Sequence, residues 1–289
     1  MDMNQVKTFL AVIANGSFLE AATRLHVTQS TVSSRIQSLE EYLGATLFIR
    51  NRSGASLTPA GKRFVNHAKA FILTLEQARY DVGLPRRYRA SVTIGARIAL
   101  WEVFLPRWVG EMRHSSPDIS IRSEIGFEED LMRRVIEGTM DVALMYTPHH
   151  SPGIHVQHLF DETLVLVTTN PEKPWPDENY IHVDWGPAFY AQHNSSYPEL
   201  ERPAQVVNIG WLGVQIIMSN GGSCFVPVRM AEPLINSGQL YLVPDSPKFK
   251  LPTYMVYQLN SNSSVLEQVL ESLRVQAEIE KQKYSAASY

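Results

Sequence analysis

The segment "HVTQSTVSSRIQSLEEYLG", residues 26–44, concentrates groups suited to reading a polar surface. Thr28, Ser30, Thr31, Ser33 and Ser34 supply short hydroxyls, Gln29 a carboxamide and Arg35 a guanidinium. A carboxamide pairs bidentately with adenine in the DNA major groove, and hydroxyls bond several base edges. Short side chains also let a helix approach bases and phosphates closely. Further on, Arg50, Arg52 and Ser53 suit a phosphate backbone or a minor groove. The competing reading is a hydroxyl-rich helix face that meets only water. The elements around the segment weigh against it.

Other reactive residues point to less. His149, His150, His155 and His158 fall in "HHSPGIHVQH", and neutral imidazoles bind zinc or nickel. No cysteine accompanies them, and His155 and His158 face opposite sides of a strand. A surface loop is the better reading, and no metal is expected. Cys224 is the single cysteine, which excludes an internal disulfide and any CxxC motif. In "GGSCFVPV" it reads as part of a buried strand without a resolving partner. The chain has no GxGxxG, no P-loop and no GxSxG elbow. Neither catalysis nor a cofactor is expected.

Val32, Ile36, Leu39 and Leu43 place an apolar stripe behind the polar face of the segment, so it is an amphipathic helix capped by Thr28. Val6, Phe9, Leu10 and Ile13 mark a helix over 4–14, which Gly16 stops. Ser17 caps a short helix, "FLEAATRL", whose Ala21 and Ala22 permit close crossing. Two helices joined by the tight "HV" connection, Phe18 to Gln37, form a helix-turn-helix that sets its second helix in the major groove. "ATLFIRNRSGASLT" then reads as a β-hairpin wing. Thr58 caps the next helix with Pro59 at its first position, and "GLP" ends it near Val82. Along it Phe64, Ala68, Phe71, Leu75, Ala78 and Val82 are spaced as a heptad seam. The seam pairs two copies of the chain, or else the helix lies on its own domain.

Charge follows the same division. Residues 1–90 hold 12 Lys and Arg against 6 Asp and Glu, while residues 91–289 hold 14 against 23. A basic head on an acidic body fits double-stranded DNA as partner of the head. No basic-then-apolar leader opens the chain, and the uncharged run from Pro203 to Val228 contains four glycines, Asn208, Gln215, Asn220 and Pro227. It reads as buried strands and turns, so a soluble, cytoplasmic protein with no membrane partner is expected.

In the body, "SVTIGA", "DISIRSEI" and "MDVALMY" read as strands alternating with helices, the first of them bent or restarted near Pro106. That alternation predicts a mainly parallel sheet. "ETLVLVTT" crosses into a second α/β region, and "TYMVYQL" returns. A final helix is expected, capped by Ser264 with Glu267 completing a capping box, and a mobile tail from about Lys281. Ligands of open α/β sheets lie at the carboxyl ends of strands. Arg97, Ile98 and Trp101, Phe127, Tyr146 and Thr147, and Asp184 and Trp185 stand there. Each can also be core packing. As a group they suit a small organic acid, with Arg97 as anchor and flat rings around an aromatic body.

"FLEAATRLHVTQSTVSSRIQSLEEYLGATLFIRNRSGASLTPAG" resembles the winged helix-turn-helix of LysR-type transcriptional regulators. The resemblance lies in the Ala21–Ala22 pair, the Gln29–Val32–Ser33 spacing, "RIQSLE", "LG..LF.R" and "LT.AG". Ser30 stands where the family often has proline, and Ser34 where it often has a basic residue. "IGARIALWE" and "VDWGPAF" look nearest to the subgroup of a flagellar regulator.

The resemblance implies a DNA-binding domain over 1–58, a linker and dimerisation helix over 59–84 and an effector-binding domain over 91–276. The last consists of two Rossmann-like subdomains, 91–163 with 253–276 and 164–252, resembling a periplasmic binding protein. It further implies a ligand-responsive transcription regulator that works as a homodimer or homotetramer, with RNA polymerase a further candidate partner. The competing class is an α/β enzyme or solute-binding protein with an accessory head. It lacks a nucleophile, a cofactor motif or a leader.

Overall fold

The computed structural model describes residues 1–51, 54–172, 175–200, 203–259 and 263–285. They form two compact units, Met1–Pro85 and Arg86–Tyr289.

The first unit opens with α1 (Met3–Asn15), capped by Asp2 and ended by Gly16 at φ 70°. Ser17 caps α2 (Phe18–Leu25), accepting from the Glu20 amide, and α2 ends at His26, which is left-handed at φ 54°. Thr28 caps α3 (Gln29–Leu43) by accepting from the Thr31 amide. Strands β1 (Phe48–Asn51) and β2 (Gly54–Leu57) pair antiparallel as the expected wing. Helix α4 (Pro59–Val82) is capped by Thr58, with Pro59 in its first turn. Val6, Phe9, Val12, Ala21, Val32, Ile36 and Leu39 are buried and close the core among the three short helices. A Cβ on Gly61 would come within 2.2 Å of the Leu47 carbonyl, so only glycine lets α4 start against the wing.

The seam on α4 divides. Ala68 is fully buried, and Phe64 and Phe71 pack on the core of the same unit, Phe64 with its ring 5.1 Å from that of Phe9. These three therefore do not form a free pairing surface, because the head needs them for its own core. Leu75 is half-buried, and Ala78 and Val82 are exposed, Val82 to 89%.

The second unit contains one continuous sheet. β3 (Ala90–Ala96) leads into α5 (Ile98–Glu102) and α6 (Phe104–Ser115). The chain breaks helix at Val103, which puts Pro106 in the first turn of α6, where a missing N–H costs nothing. β4 (Ile119–Ile125), α7 (Glu128–Ile136) and β5 (Val142–Met145) follow. β4 and β5 both lie parallel to β3. β6 (Ile154–Thr168) is a single 15-residue strand. Beyond it come β7 (Tyr180–Val183), α8 (Pro187–Ser196), β8 (Gln205–Val207), α9 (Gly210–Asn220), β9 (Ser223–Pro227), α10 (Val228–Asn236) and β10 (Tyr241–Leu242). β11 (Phe249–Gln258) returns and α11 (Ser264–Ser285) closes the unit.

The expected parallel sheet holds only at the two ends, β4-β3-β5 and β9-β7-β8. Between them β11 and β6 run antiparallel to their neighbours. Two crossings of the chain between the same two regions necessarily run in opposite directions. The end of the chain also departs from expectation. Ser263, not Ser264, presents its hydroxyl to the Leu266 amide, so the cap lies one residue earlier. α11 continues past Lys281 to Ser285, held by Lys283 and Tyr284 on Glu232 at 3.1 and 3.0 Å.

Candidate nucleic-acid interface and ligand cleft

The core side of α3 is fixed by Val32, Ile36 and Leu39, which are fully buried. Helical periodicity then turns Gln29, Ser30 and Ser34 outward, where they are exposed, with Thr31, Ser33 and Arg35 half-buried beside them. Thr28 is committed to the cap, and its hydroxyl lies 2.8 Å from those of Ser30 and Thr31. Three hydroxyls are thereby clustered at the amino end of the helix, beside its free N–H groups. Arg35 Nη1 turns back to the Thr8 hydroxyl on α1, at 3.5 Å. Arg50 stands on β1 opposite Ala55. Arg52 and Ser53 lie outside the described residues, as does the Arg50 side chain.

Glu40 is a positioning residue the sequence reading missed. Its Oε1 accepts from the amides of Leu47 and Phe48, at 2.6 and 3.2 Å, and so ties the wing to α3. A glutamate on a helix flank gives no periodic signal of such a role. At the other end of the wing, the Ala55 amide donates to the Gly16 carbonyl at 2.8 Å. Helix and wing are therefore set relative to one another by hydrogen bonds as well as by packing.

In the second unit the strand ends bring several of the expected residues together. Arg97, 8% exposed, donates to Glu128 Oε2 at 2.9 Å and to the Asn208 carbonyl at 3.3 Å. Its guanidinium also lies 4.7 Å from the centre of the Phe127 ring. Arg97 is thus an engaged group that joins α7 to the segment before α9, and not the free anion anchor expected. Ile98 opens α5 beside it. Tyr146 is buried and its ring meets that of Trp185 edge-on at 6.1 Å. The Tyr146 hydroxyl has no hydrogen-bond partner among the described residues. Burial raises its pKa, against the pull of Arg229 and Arg97.

Thr147 approaches the same corner, its methyl 3.4 Å from the position a Cβ on Gly186 would take. Glu102, at the end of α5, was not anticipated. Both its oxygens are buried without a partner among the described residues, and burial pushes its pKa up to about 7. Two expected residues serve local structure instead. Trp101 donates its indole N–H to the Glu124 carbonyl at 2.8 Å. Asp184 is exposed and closes its own turn on the Gly186 amide at 2.9 Å. Trp185 is anchored by its indole on the Phe225 carbonyl at 2.9 Å.

The histidine run carries no metal constellation. His158 pairs with Asp161 at 2.7 Å, and the His155 ring lies 5.1 Å from that of Tyr257. Among the described residues no group of three His, Cys, Asp or Glu is placed to hold a metal ion. Cys224 is fully buried, and burial pushes its thiol up to about 12, which leaves it protonated and unreactive.

A winged helix-turn-helix with a hydroxyl-rich leading face, followed by an α/β unit with polar groups gathered at strand ends, defines a ligand-responsive DNA-binding protein. Residues 3–62 match the family described as "Bacterial regulatory helix-turn-helix protein, lysR family", and residues 85–278 match "LysR substrate binding domain". The chain belongs to the LysR family of DNA-binding transcriptional regulators. It is 30% identical over 278 residues to the HTH-type transcriptional regulator HdfR of Yersinia pestis (strain Pestoides F), covering 92% of this chain and 94% of that one. The HdfR of Yersinia pseudotuberculosis serotype O:1b is equally similar. Full-length CbnR, a LysR family transcriptional regulator, shares the fold with a TM-score of 0.74 at 19% identity, covering 96% of this chain and 99% of that one. CbnR in complex with its target DNA gives 0.71 at 21% identity, covering 96% and 100%. These relatives are regulators and not enzymes. Among the described residues no helix is long and apolar enough to cross a membrane.

Proposed function

We propose that residues 1–58 read a specific DNA sequence through Gln29, Ser30, Ser33 and Ser34, with Arg50, Arg52 and Ser53 of the wing on the backbone or minor groove. The single observation that carries this is the exposed amino end of α3. Its side chains are short, polar and unburied, while its opposite face is fully packed. Residues 59–84 pair two copies through the outer half of α4, where Leu75, Ala78 and Val82 are not covered by the head core. The working protein is a homodimer or homotetramer in the cytoplasm, with RNA polymerase a further candidate partner.

Residues 91–276 bind the effector, and the strand-end cluster of Arg97, Phe127, Tyr146, Thr147 and Trp185 is the site. The boundary between its halves falls on the strands that run antiparallel, β6 and β11. The effector is a small organic acid, and its carboxylate exchanges with Glu128 on the Arg97 guanidinium. The ion pair is 2.9 Å long, with side chains 9% and 22% exposed, so a bidentate carboxylate ligand replaces like with like. Its ring rests on Phe127 and Trp185. Tryptophan fluorescence of the full-length protein titrated with benzoate tests this. Glu128→Gln is expected to tighten binding about tenfold by removing the internal competitor, and Arg97→Ala to abolish the quench. Equal affinity in all three proteins would remove Arg97 from the site.

A further inference from the structure

A cavity of about 580 Å³ lies where the end of α11 meets β6 and β11. None of the strand-end residues assigned above lines it. Its apolar wall is Phe160, Val228 and Tyr284. Its polar wall includes a buried ionic network. Arg229, 5% exposed, pairs through Nη2 with Glu162, and its guanidinium lies 4.7 Å from the centre of the Phe160 ring. Glu280, 3% exposed, accepts at Oε1 from Arg107 at 2.8 Å and from Gln276 at 3.3 Å. Arg229 Nη1 and Glu280 Oε2 face each other at 3.8 Å, and neither has a hydrogen-bond partner among the described residues. Two guanidinium groups balance two carboxylates here, yet a buried donor is left unused, which is costly.

The rest of the lining is not balanced. Asp161 meets His158 at 2.7 Å and supplies one negative charge against the two lysines that follow, while Lys281 pairs with Glu278. Lys250 donates only to the Thr163 hydroxyl, at 2.8 Å, and Lys248 has no partner among the described residues. The unspent charge of the cavity is positive, next to an aromatic wall and an unused guanidinium donor.

We propose that this cavity is a second ligand site, for a small organic anion made of a carboxylate on an apolar ring. The carboxylate lies with Lys248 and Lys250, with Arg229 Nη1 as the inner donor, and the ring packs on Phe160 and Tyr284. The site is built from β6, β11, α10 and α11, which join the two parallel ends of the sheet. A ligand here therefore favours one arrangement of those ends over another, to the extent that its affinity differs between them.

Calorimetric titration of the full-length protein with benzoate, and with benzamide as its neutral counterpart, tests the proposal independently of the strand-end site. Benzoate is expected to bind Arg97→Ala protein through this second site and to bind K248Q/K250Q in the same Arg97→Ala background at least tenfold more weakly. K250R in that background should restore affinity to within about threefold of the parent. Both lysines are exposed, so the variants are expected to keep the fold. Three results would overturn the proposal: no benzoate binding to Arg97→Ala protein at 10-millimolar order, undiminished binding in the lysine variants, or benzamide binding as well as benzoate. Loss in Arg97→Ala alone leaves the strand-end reading standing without a second site.

Discussion

At the scale of single residues, the side chains of α3 divide between an exposed polar end and a buried apolar face. Gln29 is exposed and has the chemistry for adenine, while Thr28 caps the helix and Arg35 Nη1 lies 3.5 Å from the Thr8 hydroxyl. Gln29→Ala is expected to cost roughly 1–3 kcal/mol on a specific site and little on random DNA. Fluorescence anisotropy on the two DNAs checks this, and equal losses on both would remove direct readout from Gln29. Glu40→Ala leaves the amides of Leu47 and Phe48 without their acceptor and is expected to destabilise the head by about 1–3 kcal/mol, read by denaturant unfolding of the full chain.

What the sequence made legible at this scale was residue type. The hydroxyl-rich face, the caps Ser17, Thr28 and Thr58 and the buried Cys224 follow from local rules. The partners of a side chain were not legible. Nothing near Arg97 in the sequence points to Glu128 or Asn208, because the contact exists only once β3, α7 and the segment before α9 converge.

At the scale of elements, periodicity placed α1, α3 and α4 well, because an apolar stripe at helical spacing has one structural meaning. It did not tell which partner covers the stripe. The 4–3 spacing along α4 is shared by a dimer seam and by a helix on its own core: the inner half of α4 lies on its own core, and the outer half is the part proposed to pair. A charge at Phe71 would therefore damage the head itself. The cleaner variant is Ala78→Asp, on the exposed outer half. It is expected to shift the protein from a larger to a smaller oligomer in light scattering without lowering the melting temperature of the head. An unchanged oligomer would show that the outer half of α4 does not pair.

Helix α9 was hidden because Gly210 and Gly213 look like turn residues. They are instead the points of close approach: a Cβ at Gly210 would sit 2.4 Å from the Trp185 ring, and one at Gly213 2.9 Å from Val183. Near α8, His182 and His193 are buried with ring centres 5.2 Å apart, beside Tyr180, Tyr197 and Asp184. Burial lowers both, His193 to about 4, with His182 adding to the shift. Their folded pKa values lie below the unfolded value, so the unfolded chain binds more protons in this window. Stability is full above about pH 6.5 and is lost as pH falls toward about 4. Thermal melts should drop across that window, and His193→Phe should flatten the drop. A melt independent of pH in that range would contradict it.

At the scale of the whole molecule, the charge asymmetry between residues 1–90 and 91–289 was readable from composition, and periodicity gave the order of strands and helices up to β5, but not that of the segment between β6 and β11. The antiparallel pair at the centre of the sheet was not readable, because strand direction depends on where the chain returns. The basic head implies counterion release on binding, so affinity should fall linearly with the logarithm of salt concentration. The most direct test of the central claim is selection of bound sequences from a random double-stranded DNA library by the full-length protein, followed by titration of the selected site against salt. One enriched sequence with two related half-sites is expected. The preference for this sequence over random DNA should shrink when Gln29 is replaced by alanine. Recovery of no enriched sequence, with equal affinity for all DNA at every salt concentration, would contradict that claim.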